Sequence, residues 1–527
     1  MPVTASFNLI DEPWVPCAML DGSRQTLGLR DVLARAHDIA EINGESPLVI
    51  AALHRLLLAV LYRNFSVQST EDWRSLWERG EWDACHLDAY FEQWRCRFDL
   101  FDEDKPFYQV SGLDWDKGSS SARLLFHQDN NATLFTHLSA SEPPRLTPAE
   151  SVRLLMGFMA FDVGGLKTSE RGRQSAKAAM LNKGAVVLVK GETLFKTLML
   201  NLCRYDPEDG EPWDFDSEND IPAWERSEET RPADRRPDGY LDLLTWQSRR
   251  IRLQPQLDED GSTIVKNVVI MKGFQPSEGY TIRGKETMLA FQENPRATGK
   301  QDPWPAVTLK EGRALWRDSL ALFYMRSVNS DRPQVLDWLS DLVSEGIISR
   351  STTIPVDLLG LGSNRAKIEF WRHERLPLPL AYLDNNDLVD KLGDARDLAE
   401  GVARGLNSVL WTMAVRILAA SQEGNPERNA VENFVNYLGA ERAYWPRLEE
   451  PFKQLMTDLP ADLDADGDYG GRQLPKWRDR LRRTLWDAFH EATRGLERSP
   501  RTFKAVAVAE RRLAARTREY LSVQEEA

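Results

Sequence analysis

Cysteine is scarce. Cys17, Cys85, Cys96 and Cys203 are the four cysteines among 527 residues, and none stands in a Cys-x-x-Cys pair. That spacing excludes a cysteine zinc ribbon and a disulfide framework, and it fits a reduced, cytoplasmic protein. Long apolar runs are missing too. The most apolar stretch, Pro47 to Tyr62, is interrupted by His54 and Arg55, so it reads as a buried helix and not a membrane span. The first residues, Met1 to Pro16, lack a basic stretch and carry Asp11 and Glu12, unlike a secretory leader. Gly (32) and Pro (28) stand at ordinary levels, which excludes collagen-like and low-complexity architectures.

Catalytic signatures are equally thin. No Gly-x-Ser-x-Gly or His-Glu-x-x-His occurs. Gly360-Leu361-Gly362 has neither the third glycine of a dinucleotide loop nor the Lys-Ser/Thr of a phosphate loop. His37-Asp38 is the dipeptide at the core of metal phosphohydrolases, but only seven histidines are available to complete a ligand set. A helix-end pair is the plainer reading, and a metal-dependent phosphohydrolase centred on His37 and Asp38 is the rival hypothesis. Asp462-x-Asp464-x-Asp466-Gly467-Asp468 opens like a calcium loop, yet Gln473 stands where a bidentate Glu is required. The expectation is a noncatalytic binding or scaffold protein with no metal and no cofactor.

What is present is an ordinary globular balance, with 42% hydrophobic and 28% charged residues, and seventeen Trp to anchor cores. Lys plus Arg is 67 against 81 Asp plus Glu, a net charge of −14, which argues against a general coating of positive charge for nucleic acid. The charge is unevenly spread. Residues 206 to 229 hold eleven acids and one base. Residues 475 to 518 hold thirteen bases and five acids, and residues 167 to 190 hold six bases and one acid. Such runs are commonly solvated faces, but an acidic chain with two basic segments also suits a locally bound polyanion.

Along the chain, the first part mixes short strands with helices, and residues 162 to 182 read as a Gly-, Ser- and Lys/Arg-rich loop. Residues 241–253 and 264–272 pair as strands across Asp258-Glu259-Asp260-Gly261. A helix is expected over 310–328. Beyond residue 383 the pattern predicts four long helices, at 387–420, 432–459, 476–495 and 501–521. The fold class is therefore α+β, with a mixed α/β domain over 1–383 and a C-terminal four-helix bundle over 384–527.

Three segments suit nucleic acid. Gly164-Gly165-Leu166-Lys167, with its exit Asn182-Lys183-Gly184-Ala185, offers backbone that nothing screens. A minor groove about 6 Å wide admits such backbone more easily than a helix. Ser363-Asn364-Arg365-Ala366-Lys367 is a turn carrying an amide and a guanidinium. The terminal basic helices are suited to tracking phosphates, with salt-dependent affinity.

The order of segments resembles the CasA-type large subunit of the type I-E CRISPR Cascade complex. The resemblance rests on Phe7-Asn8-Leu9-Ile10-Asp11-Glu12-Pro13-Trp14-Val15-Pro16, Leu29-Arg30-Asp31-Val32-Leu33 and Lys105-Pro106-Phe107-Tyr108-Gln109. It continues through the Gly184 to Gly191 strand and turn, Leu244-Thr245-Trp246-Gln247 and the helical C-terminus. It implies a noncatalytic subunit working with other Cascade subunits, a guide CRISPR RNA, double-stranded target DNA and a helicase-nuclease, in antiviral defence. Such a subunit reads the protospacer-adjacent motif while guide pairing supplies most of the discrimination. By position, the resemblance implies a guide-end loop at Phe135, Thr136 and His137. It implies a glycine motif at Gly164-Gly165 or at Lys183-Gly184-Ala185, and a motif-reading lysine at Lys272, with Lys266 second. It implies a strand-opening wedge at Asn364, Arg365 and Ala366, where Arg365 replaces the family's Gln; a planar guanidinium stacks on a base pair as well.

Overall fold

The Pro47–Asn64 helix is set by its ends and its apolar middle. Ser46 accepts from the Val49 amide, and Pro47 takes the first turn, where a missing donor costs nothing. In the computed structural model of the chain, residues Leu48 to Leu61 of this helix are almost all buried. Among the described residues it is the one helix long and apolar enough to cross a membrane, and 78% of that window lies inside the protein. Arg55, in its middle, is neutralised by Glu286 at 2.7 Å. The structure describes all residues except 1–4, 66, 127–142, 171, 183, 206–219, 228–229, 300, 312–314, 318–329, 365–366, 420–425, 465–466 and 522–527.

The chain divides into two compact units. One comprises residues 1–311, 326–349 and 354–375, the other 312–325, 350–353 and 376–527. Strands run in chain order as β1 (Val15–Met19), β2 (Arg24–Leu27), β3 (Ile39–Ile42), β4 (Ser119–Ser120), β5 (Gly165–Ser169), β6 (Gly172–Ala176), β7 (Val186–Val189) and β8 (Asp234–Arg235). They continue as β9 (Arg249–Leu257), β10 (Thr263–Lys272), β11 (Gln275–Pro276), β12 (Phe291–Gln292), β13 (Ser330–Asp331), β14 (Thr353–Asn364) and β15 (Lys367–Pro379). The principal sheets are β2-β1-β3, then β4-β10-β5-β6 with β9 on β10, then β15-β14-β7. Trp14, in the opening segment, is fully buried and donates Nε1 to Leu9 O at 2.8 Å. The Pro148–Phe161 helix, capped by Thr147 with Glu150 reciprocating, packs on Pro47–Asn64 and delivers the chain to Asp162.

Two sequence expectations change here. Residues 162–182 are not a plain loop, because β5 and β6 form an antiparallel hairpin running from Gly165↔Ala176 to Ser169↔Gly172. Its polar residues hide the period-2 pattern. Residues 241–253 are not one strand, because Tyr240–Leu244 is helical and all five residues are buried; the strand begins at Arg249.

The second unit is helical. Asn386–Leu418 is a helix of 33 residues, and Gln473–Arg494 and Pro500–Leu521 each have 22. Gly405 of the first lies against the Tyr520 ring of the last. Trp477 donates to Ala395 O and Tyr444 to Ala399 O. Arg317 stacks 3.6 Å from the Trp445 ring centre while meeting Glu400 at 2.7 Å. The helix expected over 432–459 is three: Arg428–Leu438, Ala440–Tyr444 and Pro446–Asp458. Gly439 between the first two has φ +67°, and Pro446 begins the third, since proline ends the preceding helical run. Of the helix expected over 310–328, most positions lie outside the described residues; Leu315–Arg317 is a 3-10 turn.

Candidate nucleic-acid interface

The glycine segment leaves the Pro148–Phe161 helix at Asp162. Gly165 has φ +123°, a conformation that side chains other than glycine's rarely take. At Gly164 a Cβ would stand 3.0 Å from Ala176 O and Ala178 N, so the hairpin's two ends meet backbone to backbone. The outer residues Gly172 to Ser175 are exposed. Under the hairpin lies Arg249, whose side chain is wholly buried. Its Nε donates to Asp162 at 2.6 Å, and its other nitrogens donate to the carbonyls of Ser248, Val163 and Lys177. Lys167 meets the same Asp162 at 2.6 Å and is also buried. Burial pulls its ammonium below the ordinary lysine range, against the pull of Asp162. Lys167, one of the bases that make this stretch look basic, therefore neutralises an internal acid.

The segment after the hairpin runs back beside the helix end. Ala179 N donates to Asp162 O, Leu181 N to Ala160 O, and Asn182 Nδ2 to Phe161 O at 2.7 Å. Gly184 and Ala185 are buried. Leu289 Cδ2 would stand 2.7 Å from a Cβ at Gly184, and Ala185 N donates to Val307 O; the chain enters the core there as β7. Lys183 lies outside the described residues. Against this segment lies the β14–β15 hairpin: Gly360 abuts Gly184 O, and Ser363 Oγ donates to Asn182 Oδ1 at 3.3 Å. Two of the three predicted DNA-facing segments are thus brought together. Arg365 and Ala366, between β14 and β15, and the Asn364 side chain lie outside the described residues, as do Phe135, Thr136 and His137.

Lys272 ends β10. Met271 pairs in parallel with Thr168, which sets Lys272 beside Ser169 at the turn end of the β5–β6 hairpin. Gly165 is four residues back, about 13 Å along the strand at ~3.3 Å per residue. The connection is made by the turn that follows Lys272: Gln275 pairs with Asp234, and its Oε1 accepts from Lys177 N. The Lys272 side chain is 17% exposed, with Nζ 3.5 Å from Asp234 Oδ1. Lys266 sits at an irregularity of β10, between Val265 and Asn267. Asp234 and Arg249 carry no sequence signal, since an isolated acid and a strand-edge arginine look like ordinary surface charge.

The base of the β14–β15 hairpin holds a charge cluster. Asp357 is buried, with Arg375 at 2.6 Å and His373 at 3.1 Å; Arg375 also reaches Glu41, and buried Lys190 stands 3.8 Å from Glu41. Burial alone would raise the Asp357 carboxyl, but hydrogen bonds from Arg375 and His373 override it and hold it well below the usual range. A depressed carboxyl contributes stability above the unfolded value near 3.9, and loses it as pH falls toward the folded one. A hydrogen bond to a charged group contributes roughly 1.5–3 kcal/mol, and the half-exposed Arg375 puts this one at the lower end. Asp357→Asn is expected to lower unfolding stability by that amount near pH 7. The gap between wild type and variant should stay constant down to about pH 5 and narrow below about pH 4. Thermal unfolding at stepped pH measures it; a gap that widens in acid is the contrary result.

His37 Nε2 is 3.8 Å from Asp38, and among the described residues no group of three or more His, Cys, Asp or Glu is arranged to hold an ion. Asp462 turns its carboxylate to the start of the Gln473–Arg494 helix, accepting from Arg472 N, Arg472 Nε and Gln473 N.

The family model described as CRISPR-associated protein Cse1 matches residues 8–488. The chain is 31% identical over 524 residues, 96% of either length, to the CRISPR-associated protein CasA/Cse1 of Thermus thermophilus. The solved Cse1 of Thermobifida fusca has a TM-score of 0.81 at 26% identity, over 98% of both chains. A chain of a CRISPR RNA-guided surveillance complex has the same fold, with a TM-score of 0.75 at 21% identity, over 98% of this chain and 100% of that one. With a match running through both units, the chain belongs to the Cse1 family of CRISPR-associated proteins, whose members also carry the name CasA.

Proposed function

We propose that this chain is the noncatalytic large subunit of a CRISPR RNA-guided surveillance complex. It reads the protospacer-adjacent motif of double-stranded DNA from the minor groove, promotes strand opening and helps recruit a helicase-nuclease. The observation that carries this reading is the meeting of the glycine-segment exit with the β14–β15 hairpin, through Ser363–Asn182 and Gly360–Gly184, in a chain of the Cse1 family. The guanidinium of Arg365, which lies in sequence between β14 and β15, separates a base pair from its neighbour by stacking. Gly164 and Gly165 are half-buried and accessible, which favours them over buried Gly184 and Ala185 as the groove-facing glycines. The loop with Phe135, Thr136 and His137 docks the guide RNA's end and a neighbouring subunit.

With a net charge of −14, the chain on its own is repelled by DNA and depends on the assembly for affinity. The test is a gel-shift at fixed salt of target duplexes by the complex, assembled with and without this subunit, with the flanking motif varied. Motif-dependent binding should appear only with the subunit present; identical binding without it overturns the reading. In the complete complex, Arg365→Ala should slow base unpairing, followed by a fluorescent base analogue, more than it weakens initial binding. Unpairing at the wild-type rate would remove the wedge role.

A further inference from the structure

Lys272 is not waiting free for DNA. Its ammonium stands 3.5 Å from Asp234 Oδ1, and the two differ in exposure, 17% for the lysine and 53% for the aspartate. A casual surface pair would place its acid on a mobile stretch, yet Asp234 is held firmly. Its neighbour Arg235 lies between two rings, 4.3 Å from the Trp246 centre and 4.1 Å from that of Phe274. The same guanidinium clasps buried Asp242 with both terminal nitrogens. Asp234 itself pairs in register with Gln275, and Gln275 N donates to Ala233 O at 2.9 Å. Cation–π stacking on two faces plus a forked ion pair is a strong anchor, and what it positions next to Lys272 is a carboxylate.

We propose that Asp234 is an internal stand-in for nucleic acid at Lys272, and that it tempers the affinity for motif-bearing DNA. The inference rests on Lys272 being a motif-reading group. With the carboxylate in place, the ammonium moves to DNA only where the groove offers acceptors better placed than Asp234. A phosphate met by chance, or the acceptors of a wrong motif, must compete with a partner already in contact. Breaking the pair costs only those complexes that use the ammonium, so an occupied lysine lowers binding to good sites more than to poor ones. Because the acid is half-exposed, the pair is weak enough to exchange.

The experiment is a double-mutant cycle on the complete surveillance complex, with motif-bearing and motif-lacking duplexes at one salt concentration. Asp234→Asn should tighten binding to motif-bearing DNA by about two- to fivefold, the range to which an exposed ion pair of up to ~1 kcal/mol converts, and change motif-lacking DNA less. In the Lys272→Ala background the same substitution should have no such effect, because the coupling runs through the lysine. Equal gains on both duplexes that persist without Lys272 would mean bulk repulsion of DNA by one more acid, and would overturn the proposal. If Lys272→Ala leaves motif dependence intact, the reading of Lys272 itself fails, and this inference with it. Asp234 lies on the surface, so the variant folds.

Discussion

Replacing Arg249 with Met is expected to lower the stability of the first unit by about 3 kcal/mol, the lower end of the cost of breaking a buried ion pair from one side. The arithmetic turns on Asp162. Its side chain is 5% exposed and stands between Arg249 and Lys167, each at 2.6 Å. Removing Arg249 leaves a neutral Asp162–Lys167 pair instead of a bare carboxylate, which spares the upper part of that range. What is lost outright is the fork reaching Val163 O and Lys177 O, the two carbonyls that close the base of the glycine hairpin. The substitution should therefore lower the denaturant midpoint of the chain and also expose the hairpin's amides to hydrogen exchange. Arg249→Lys should recover part of the stability and little of the protection, because an ammonium reaches the carboxylate but has no planar fork for the carbonyls. A midpoint unchanged in Arg249→Met would show that this network does not hold the hairpin.

How much of this is legible in the sequence depends on the range of the interaction. The apolar run of the Pro47–Asn64 helix is local, and it stands where the pattern places it. So do the strand of residues 264–272 and the turn before it, where Gly261 has φ +83°. The β5–β6 hairpin escapes a pattern reading because Lys167 and Arg173 look like solvent-facing loop charge; Lys167 is buried against an acid that folding brings to it. Arg249 and Asp162 are 87 residues apart, and Lys272 and Asp234 are 38 apart, so no window reading connects them. Resemblance supplies Lys272 and the β14–β15 turn. It does not supply what stands next to them, because a match by position carries no contacts.

Lys272→Ala is expected to reduce discrimination between correct and incorrect motifs about tenfold in the complete complex. That is the equivalent of one charge-assisted hydrogen bond contributing ~1.4 kcal/mol. The physical question is whether the ammonium reads a base edge or a phosphate, and the two leave different traces. A base-edge contact in the minor groove meets N3 and O2 acceptors that A·T and T·A share. Its loss should therefore flatten the preference at one motif position and leave the salt dependence of the affinity nearly unchanged. A phosphate contact carries no sequence information; its loss weakens all duplexes alike and lowers the slope of log K against log salt by roughly 1. The proposed reading expects the first. Lys272 ends a paired strand, is only 17% exposed and is held from one side by Asp234, so its amine has a defined direction, whereas a phosphate-tracking lysine is free and fully solvated. Measuring binding to a motif library at two salt concentrations decides between them: uniform weakening with a reduced slope would move Lys272 from the reading group to the backbone contacts.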